Sequence, residues 1–170
     1  MGPGLAVKAV LGRRFSLMVF GFSQVAIDIE PLIGILRGYD ILHGFTHTYL
    51  GASLIALVSV AIGRPICQYL LRYWNPDPKS AFLNWWGTPG QISWSAATAG
   101  AFIGVYSHVF FDSIMHYDMH PLAPWSKANE LLYVVSIDSL YLLCLLSGVL
   151  GAVIMVTVKV LRQRVPREQT

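Results

Sequence analysis

The amino-acid sequence predicts an all-α fold, an integral membrane bundle of about four transmembrane helices. Hydrophobic residues make up 55% of the chain and charged residues only 12%, whereas a soluble domain carries about 25% charged residues. The mean hydropathy is +0.56, and several apolar runs approach the roughly 20 residues that a helix needs to cross a bilayer. A chain of 170 residues has room for one compact domain, so residues 1–170 are treated as a single transmembrane domain.

The apolar runs and the residues that interrupt them place the four helices. The spans are expected at about 15–36, 43–63, 92–115 and 131–160. The first span contains two acids, Asp28 and Glu30, followed by Pro31. Acids inside a bilayer cost about 2.5–3.5 kcal/mol each on insertion scales, so these two imply partners. Residues 64–91 are the longest polar stretch and are predicted to form a cytoplasmic loop.

The distribution of lysine and arginine predicts the orientation of the helices. With four spans, one side of the membrane holds ten of the twelve basic residues, and the other holds only Arg37 and Lys127. The ten are Lys8, Arg13, Arg14, Arg64, Arg72, Lys79, Lys159, Arg162, Arg164 and Arg167. Because basic residues are retained in the cytoplasm, both chain termini are expected there. The net charge of +3 reflects this asymmetry, and no nucleic-acid partner is predicted.

Histidines and an aspartate recur at helical spacing inside the apolar chain. His108, Asp112 and His116 fall four residues apart in the third span, and His43 and His47 repeat the spacing at the start of the second. On a helix this spacing puts the side chains on one face, with neighbouring Cβ atoms roughly 5–6 Å apart. Imidazole and carboxylate are ligands of zinc and of related hydrolytic metals. The two stripes therefore predict one shared site for a divalent metal.

The predicted topology brings these groups to the same depth, near the extracytoplasmic face. The predicted metal ligands are Asp28, His43, His47, His108, Asp112 and His116. Glu30 and Asp118 lie at the same depth and are candidates for a general base. His120 is either a supporting residue or a solvated loop residue, and Asp138 is either a further ligand or a carboxylate that orients a histidine. A single intramembrane histidine is as often a hydrogen-bonded core residue as a ligand, but carboxylates at the same depth favour a metal.

These motifs resemble the bacterial membrane-bound metal-dependent hydrolases described as LexA-regulated. The resemblance covers residues 24–150 and is carried by His43-Gly-Phe-Thr-His47, Tyr-Ser-His108-Val-Phe-Phe-Asp112-Ser-Ile-Met-His116-Tyr-Asp118 and Pro121-Leu-Ala-Pro-Trp-Ser. Asp28-Ile-Glu30 stands where that family has Asp-x-Asp, so the second acid is longer here. The family is in turn distantly similar to zinc phospholipase C and P1-type nucleases, which cleave phosphate esters at a multi-metal centre.

The resemblance implies a metal-dependent hydrolase of the bacterial cytoplasmic (inner) membrane that uses metal-activated water. A site near the extracytoplasmic face suits a lipid phosphoester, so membrane lipid and a lipid-like phosphoester substrate are the expected partners. The cofactor expected is a divalent metal such as zinc, and the sequence does not indicate an oligomeric state. The alternative is a non-catalytic protein that binds or transports metal or haem within the membrane. Haem would favour histidines without a carboxylate beside each one.

The orientation gives a first testable prediction. Residue 125, in the loop from Pro121 to Lys127, is expected outside the cytoplasm, and the basic carboxyl terminus is expected inside, because of the ten-to-two distribution of basic residues. Cysteine labelling or reporter fusions at Trp125 and Thr170 measure this directly. If both positions are labelled from the same side, the orientation is wrong, and the shared depth of the predicted ligands is wrong with it.

Overall fold

A computed structural model describes residues 2–74 and 91–164, and every regular element in those ranges is helical. Seven α-helices occur there: α1 (Gly2–Leu11), α2 (Leu17–Ile27), α3 (Ile29–Arg37), α4 (Tyr49–Val58), α5 (Arg64–Trp74), α6 (Trp94–Met115) and α7 (Ile137–Arg164). Three stretches, Leu17–Arg37, Tyr49–Tyr73 and Ile137–Leu161, are long and apolar enough to cross a membrane. The predicted all-α membrane bundle is confirmed.

Helix α6 is the interior helix of the bundle, and it packs against both α2 and α4. Ten of its 22 residues are buried. A Cβ built on Gly100 would lie 2.5 Å from the Ser16 carbonyl oxygen, and one built on Gly104 would meet the Ser23 hydroxyl. Membrane helices approach this closely only through small residues. Because its neighbours are protein rather than lipid, α6 is rich in glycine and alanine and less apolar than the three stretches above.

The bounds of two helical stretches lie within two residues of predicted spans, and the helix at the predicted fourth span begins late. Leu17–Arg37 corresponds to 15–36 and Trp94–Met115 to 92–115, whereas α7 begins at Ile137 rather than at 131. The segment before α7 turns back onto the end of α6, because Tyr133 adopts a φ of 57° and donates its backbone N–H to the Ile114 carbonyl at 3.0 Å. A residue with this φ cannot belong to a right-handed helix.

The second membrane helix continues beyond its predicted end at Arg64 and Pro65. A π-helical turn at Ser59–Gly63 follows α4 directly, and α5 then extends the helix to Trp74. In a regular helix interior, proline lacks an N–H donor and clashes with the carbonyl four residues earlier. The π-helical turn widens the backbone just before Pro65 and accommodates it. Residues 64–74 of the predicted cytoplasmic loop are therefore helical, and residues 75–90 lie outside the described part of the chain.

Helix α1 lies outside the predicted spans and packs along α7. Gly2 lies against the Cys144 carbonyl, and Gly151 lies against Ala6. From the first pair to the second, the residue numbers increase in both helices, so the helices are roughly parallel. Glycine at each contact allows the close approach. Gly2 is level with Cys144 in this packing, and the cytoplasmic location of the amino terminus stays a prediction.

The contact between α2 and α6 predicts a matched pair of stability effects. Gly100→Val is expected to destabilise the protein by roughly 1–3 kcal/mol, because the added side chain must displace the backbone at Ser16. Thr98→Val, at an exposed position of the same helix, is expected to change stability little. Thermal unfolding of the purified protein in detergent measures both variants. Equal melting temperatures for Gly100→Val and the wild type would contradict the close approach of the two helices.

Candidate metal centre

Asp28 lies at the break between α2 and α3. Because Pro31 has no N–H, the Ile27 carbonyl loses its helical partner, and the Thr46 hydroxyl lies 3.2 Å from it instead. Asp28 itself is 53% exposed and is the most open residue of the site. Its Oδ1 atom lies 3.0 Å from His108 Nε2. The break thus directs a carboxylate from the first membrane helix toward α6.

Helix α6 presents His108 and Asp112 on one face, as their spacing predicts. His108 Nε2 lies 3.0 Å from Asp112 Oδ2. The helix ends at Met115, so His116 is not part of the stripe but follows it, with its backbone N–H donated to the Asp112 carbonyl at 2.8 Å. The His116 ring stacks on His43, and the ring centroids are 4.4 Å apart. His116 therefore reaches the site from beyond the helix end.

His43 and His47 lie before α4 and not in its first turns, which corrects the predicted helical geometry of this pair. Thr48 caps the helix by accepting a hydrogen bond from Gly51 N–H at 2.9 Å, and such a cap sets the start of a helix. His47 belongs to the short 3₁₀ turn Phe45–His47, and His43 precedes that turn in non-helical backbone. The two rings still meet edge to face, with centroids 4.8 Å apart.

Two carboxylates hold this non-helical segment in place. Glu30 accepts the backbone N–H groups of residues 45 and 46 at 3.1 and 2.7 Å. Asp118 accepts those of residues 42 and 43 at 3.0 and 3.1 Å. Without these acceptors four N–H groups that no helix satisfies would lack partners. The acids that were predicted to act as general bases therefore fix the backbone that carries His43 and His47.

The Asp118 carboxylate is ionised at neutral pH. Burial raises its pKa, but hydrogen bonds from the backbone and ring of His43 and from the backbone of Leu42 outweigh burial and hold the pKa at about 2. A carboxylate only accepts hydrogen bonds. The His43 Nδ1 atom, 2.9 Å from Asp118 Oδ1, must therefore carry the ring proton, and His43 Nε2 is left as a lone pair facing the site.

Four side chains each bring one potential ligand atom within 4.8 Å of the others, and they are Asp28, His47, His108 and Asp112. His47 Nε2 lies 3.7 Å from the Asp28 carboxylate and 3.6 Å from that of Asp112. His43 Nε2 is 4.0 Å from Asp112 Oδ2. The Nε2 atoms of His47 and His108 are buried and have no hydrogen-bond partner, although carboxylate oxygens surround them.

Gln24 fixes the tautomer of His108. The Gln24 amide nitrogen donates to the Gly104 carbonyl at 2.8 Å, so the amide oxygen is the atom that lies 3.0 Å from His108 Nδ1. An amide oxygen only accepts, and Nδ1 must therefore carry the proton. The Nε2 lone pair of His108 then faces Asp28 and Asp112.

Thr46 fixes the tautomer of His47 in the same way. The Thr46 hydroxyl has one proton, which faces two acceptors, the Glu30 carboxylate and the Ile27 carbonyl. Its oxygen therefore accepts from His47 Nδ1, which is 3.1 Å away. Both histidines of the four-residue cluster thus present lone pairs, as does the adjacent His43. Partners that hold the Nδ1 proton and leave Nε2 free are typical of metal-binding histidines.

Imidazole nitrogens and carboxylates that face one another are suited to share a bound cation. The Nε2 atoms of His47 and His108 make no hydrogen bond in this arrangement, and a buried polar atom without a partner is costly. Two imidazole nitrogens and two carboxylates form a donor set suited to zinc and related hydrolytic metals. The residues present therefore fit a divalent cation held by the Asp28, His47, His108 and Asp112 cluster.

A family model described as YdjM inner membrane protein matches residues 6–166. The chain belongs to the YdjM inner membrane protein family. This membership confirms the broader part of the resemblance, a bacterial family of membrane proteins. Regulation by LexA and hydrolase activity stay predictions. No curated protein and no solved structure matches the chain.

Several predicted residues of this YdjM-family protein form a second group or stand apart from the cluster. His43, His116 and Asp118 also bring potential ligand atoms within 4.8 Å of one another. His120 is exposed, and its Nδ1 is 2.7 Å from the Lys127 carbonyl. Asp138 is exposed in the first turn of α7, which packs on α1 rather than on α6. Neither His120 nor Asp138 joins the cluster.

Sequence reasoning missed Gln24, which sets the orientation of His108. The available signal was its position, since Gln24 lies one helical turn before Asp28 and therefore on the same face of the first span. A glutamine in an apolar run needs hydrogen-bond partners, and its partners here are His108 and Gly104. In this YdjM-family protein the polar face of the first span is thus Gln24 and Asp28 together.

The cluster predicts which substitutions remove metal. His108→Ala and Asp112→Ala are each expected to lose most of the bound zinc, because each variant removes one of four converging ligands and lipid supplies no replacement. His120→Ala is the matched control and should keep the wild-type content, since its ring lies outside the cluster. Elemental analysis of the purified proteins measures all three. Full metal content in both cluster variants would show that the polar face is structural.

Proposed function

We propose that this YdjM-family protein is a membrane-bound metal-dependent hydrolase that acts on a lipid phosphoester. The observation that supports the proposal most directly is the pair of buried, unpartnered Nε2 atoms of His47 and His108, which face Asp28 and Asp112. These four residues would hold a divalent cation, with His43 beside them. When bound, the cation supplies a Lewis acid that polarises the phosphoryl group and lowers the pKa of water.

Asp118 and Glu30 act as positioning residues in this proposal rather than as general bases. Both oxygens of each carboxylate already accept hydrogen bonds, those of Asp118 from residues 42 and 43 and those of Glu30 from residues 45 and 46. A general base needs an oxygen free to take a proton from water. Asp118 accepts the Nδ1 proton of His43, and Glu30 acts on the Nδ1 proton of His47 through the Thr46 hydroxyl. The Nε2 atom of each ring is then available as a ligand.

The charge and exposure of the site support an anionic substrate that approaches from the side of Asp28. Two carboxylates without a cation would repel a phosphoester, and a divalent cation removes that repulsion. Asp28 is the most exposed of the four cluster residues, and α3, which follows it, exposes apolar side chains such as Leu32. In hydrolysis the oxygen of water bonds to phosphorus and the phosphorus–oxygen bond to the alcohol breaks. The alcohol leaves as a neutral molecule after its oxygen takes a proton from that water. A lipid alcohol would leave into apolar surroundings.

Haem binding, one of the alternatives, conflicts with the spacing of the histidine rings. The ring centroids of His43 and His47 are 4.8 Å apart, and those of His47 and His108 are 5.3 Å apart. Rings in edge-to-face contact leave no slot for a macrocycle between them, and carboxylates adjoin each nitrogen. A non-catalytic metal-binding protein is the alternative that an activity assay must separate from a hydrolase.

The proposed activity predicts turnover and a specific rescue. Zinc-loaded wild type is expected to hydrolyse at least one member of a panel of phospholipids and isoprenoid phosphates in detergent. Asp118→Asn and Glu30→Gln are expected to bind metal about 10–100-fold more weakly, because they loosen His43 and His47. If the two acids act only through position, saturating metal should restore most of the activity of both variants.

Asp138→Asn is the control for these variants, because it removes an exposed acid that belongs to neither group of potential ligands, and it should match the wild type. A variant of Glu30 or Asp118 that stays inactive at full metal occupancy would assign proton transfer to that acid. If the wild type with full metal cleaves no member of the panel, the hydrolase proposal loses its support and the non-catalytic metal-binding alternative is favoured.

A further inference from the structure

A groove of about 430 Å³ lies between α3 and the segment that leads into α4. Its walls are mostly apolar, and they include Ile29 and Ile33 of α3, Ile41 and Leu42 of the following segment, and Ile55 of α4. Binding sites for small organic ligands commonly have volumes of about 300–1,000 Å³. The groove is therefore large enough to hold part of a ligand and apolar enough to exclude a charged one.

The polar end of the groove adjoins the metal centre. Glu30 and Thr46 line it, and the same two residues hold the Nδ1 proton of His47. Asp28, the exposed member of the cluster, immediately precedes Ile29 in the chain. We therefore expect a molecule whose head group lies at Asp28 to extend into the groove along α3.

The groove is also open to the surroundings along α3. Ile29, Ile33 and Ile41 are 52%, 41% and 66% exposed. Ile29 and Ile33 belong to the stretch Leu17–Arg37, which is long enough to cross a membrane, so their exposed side would face lipid and a hydrocarbon chain could enter sideways from the bilayer. A water-soluble substrate would gain nothing from such walls.

We propose that the groove holds a hydrocarbon chain of the substrate, so that the substrate is a long-chain phosphoester bound with its phosphate at Asp28. This inference rests on the proposed hydrolase function. Lipid tails are as apolar as isoleucine, so the groove does not bind the chain by the hydrophobic effect. Its contribution is packing and orientation, which hold the phosphoryl group at the cluster in a productive position.

The experiment fills the groove from opposite walls and compares each variant with a neighbour on the same helix. Ile33→Trp and Ile55→Trp place a bulky ring in the groove. Ile35→Trp on α3 and Leu57→Trp on α4 are matched controls, since both positions are exposed and neither lines the groove. All four full-length, zinc-loaded proteins are assayed on a long-chain phosphodiester and on its butyl counterpart, with zinc content measured alongside.

The groove variants are expected to lose about tenfold or more in kcat/KM on the long-chain substrate and to keep their zinc and their activity on the butyl substrate. The control variants should match the wild type on both substrates. Equal losses on the two substrates, or no loss on either, would overturn the proposal, because the groove would then not recognise the chain.

Photo-crosslinking separates failure of this inference from failure of the hydrolase proposal. Hexadecyl phosphate with a diazirine in its chain should label the peptide around Ile55 in the wild type and in both controls, but not in the groove variants. Labelling that is the same in all five proteins would mean that bulk lipid occupies the groove, and the inference would be wrong. If labelling is selective but no protein cleaves either phosphoester, the groove binds the chain and only the hydrolase proposal fails.

Discussion

Imidazole lone pairs and carboxylates that face one another inside an apolar bundle are the constraint on which this structure depends. The Nε2 atoms of His47 and His108 point at Asp28 and Asp112, and the Nδ1 protons of both histidines are committed elsewhere. Low polarity strengthens the repulsion between these groups. A divalent cation would remove it and would tie the first span, the segment before α4 and α6 together. Binding of such a cation would therefore be coupled to packing at this end of the bundle.

Backbone hydrogen bonding accounts for the late start of the second membrane helix. Residues 42–46 precede the first turn of α4, so no helix satisfies their backbone N–H groups. Because the segment is not helical, Glu30 and Asp118 accept four of these groups and also control the Nδ1 protons of His43 and His47. Each carboxylate thus satisfies backbone donors and orients one ring. Extending the helix back to His43 would remove both functions.

The sequence was sufficient to predict the all-helical membrane bundle and the grouping of Asp28, His47, His108 and Asp112, but not the local geometry of these residues. The spacing of His108 and Asp112 correctly placed them on one face, because α6 is regular there. The same spacing was misleading for His43 and His47, because backbone contacts with distant carboxylates outweigh local helix propensity, and those contacts depend on the fold. The packing of α1 was missed for a similar reason, since its partner lies more than 130 residues away in the chain.

The break at Asp28 would give the proposed hydrolytic site a physical reason for its position. Hydrolysis of a lipid phosphoester needs water and an apolar substrate at one place, and a closed bundle would exclude both. Pro31 interrupts the first span and leaves Asp28 exposed beside the apolar groove along α3, which would admit a hydrocarbon chain from the bilayer. On the other side, the polar residues His116 and Asp118 follow the end of α6 and contact the ring of His43. The opening at Asp28 would thus let a substrate reach the four cluster residues without crossing the core.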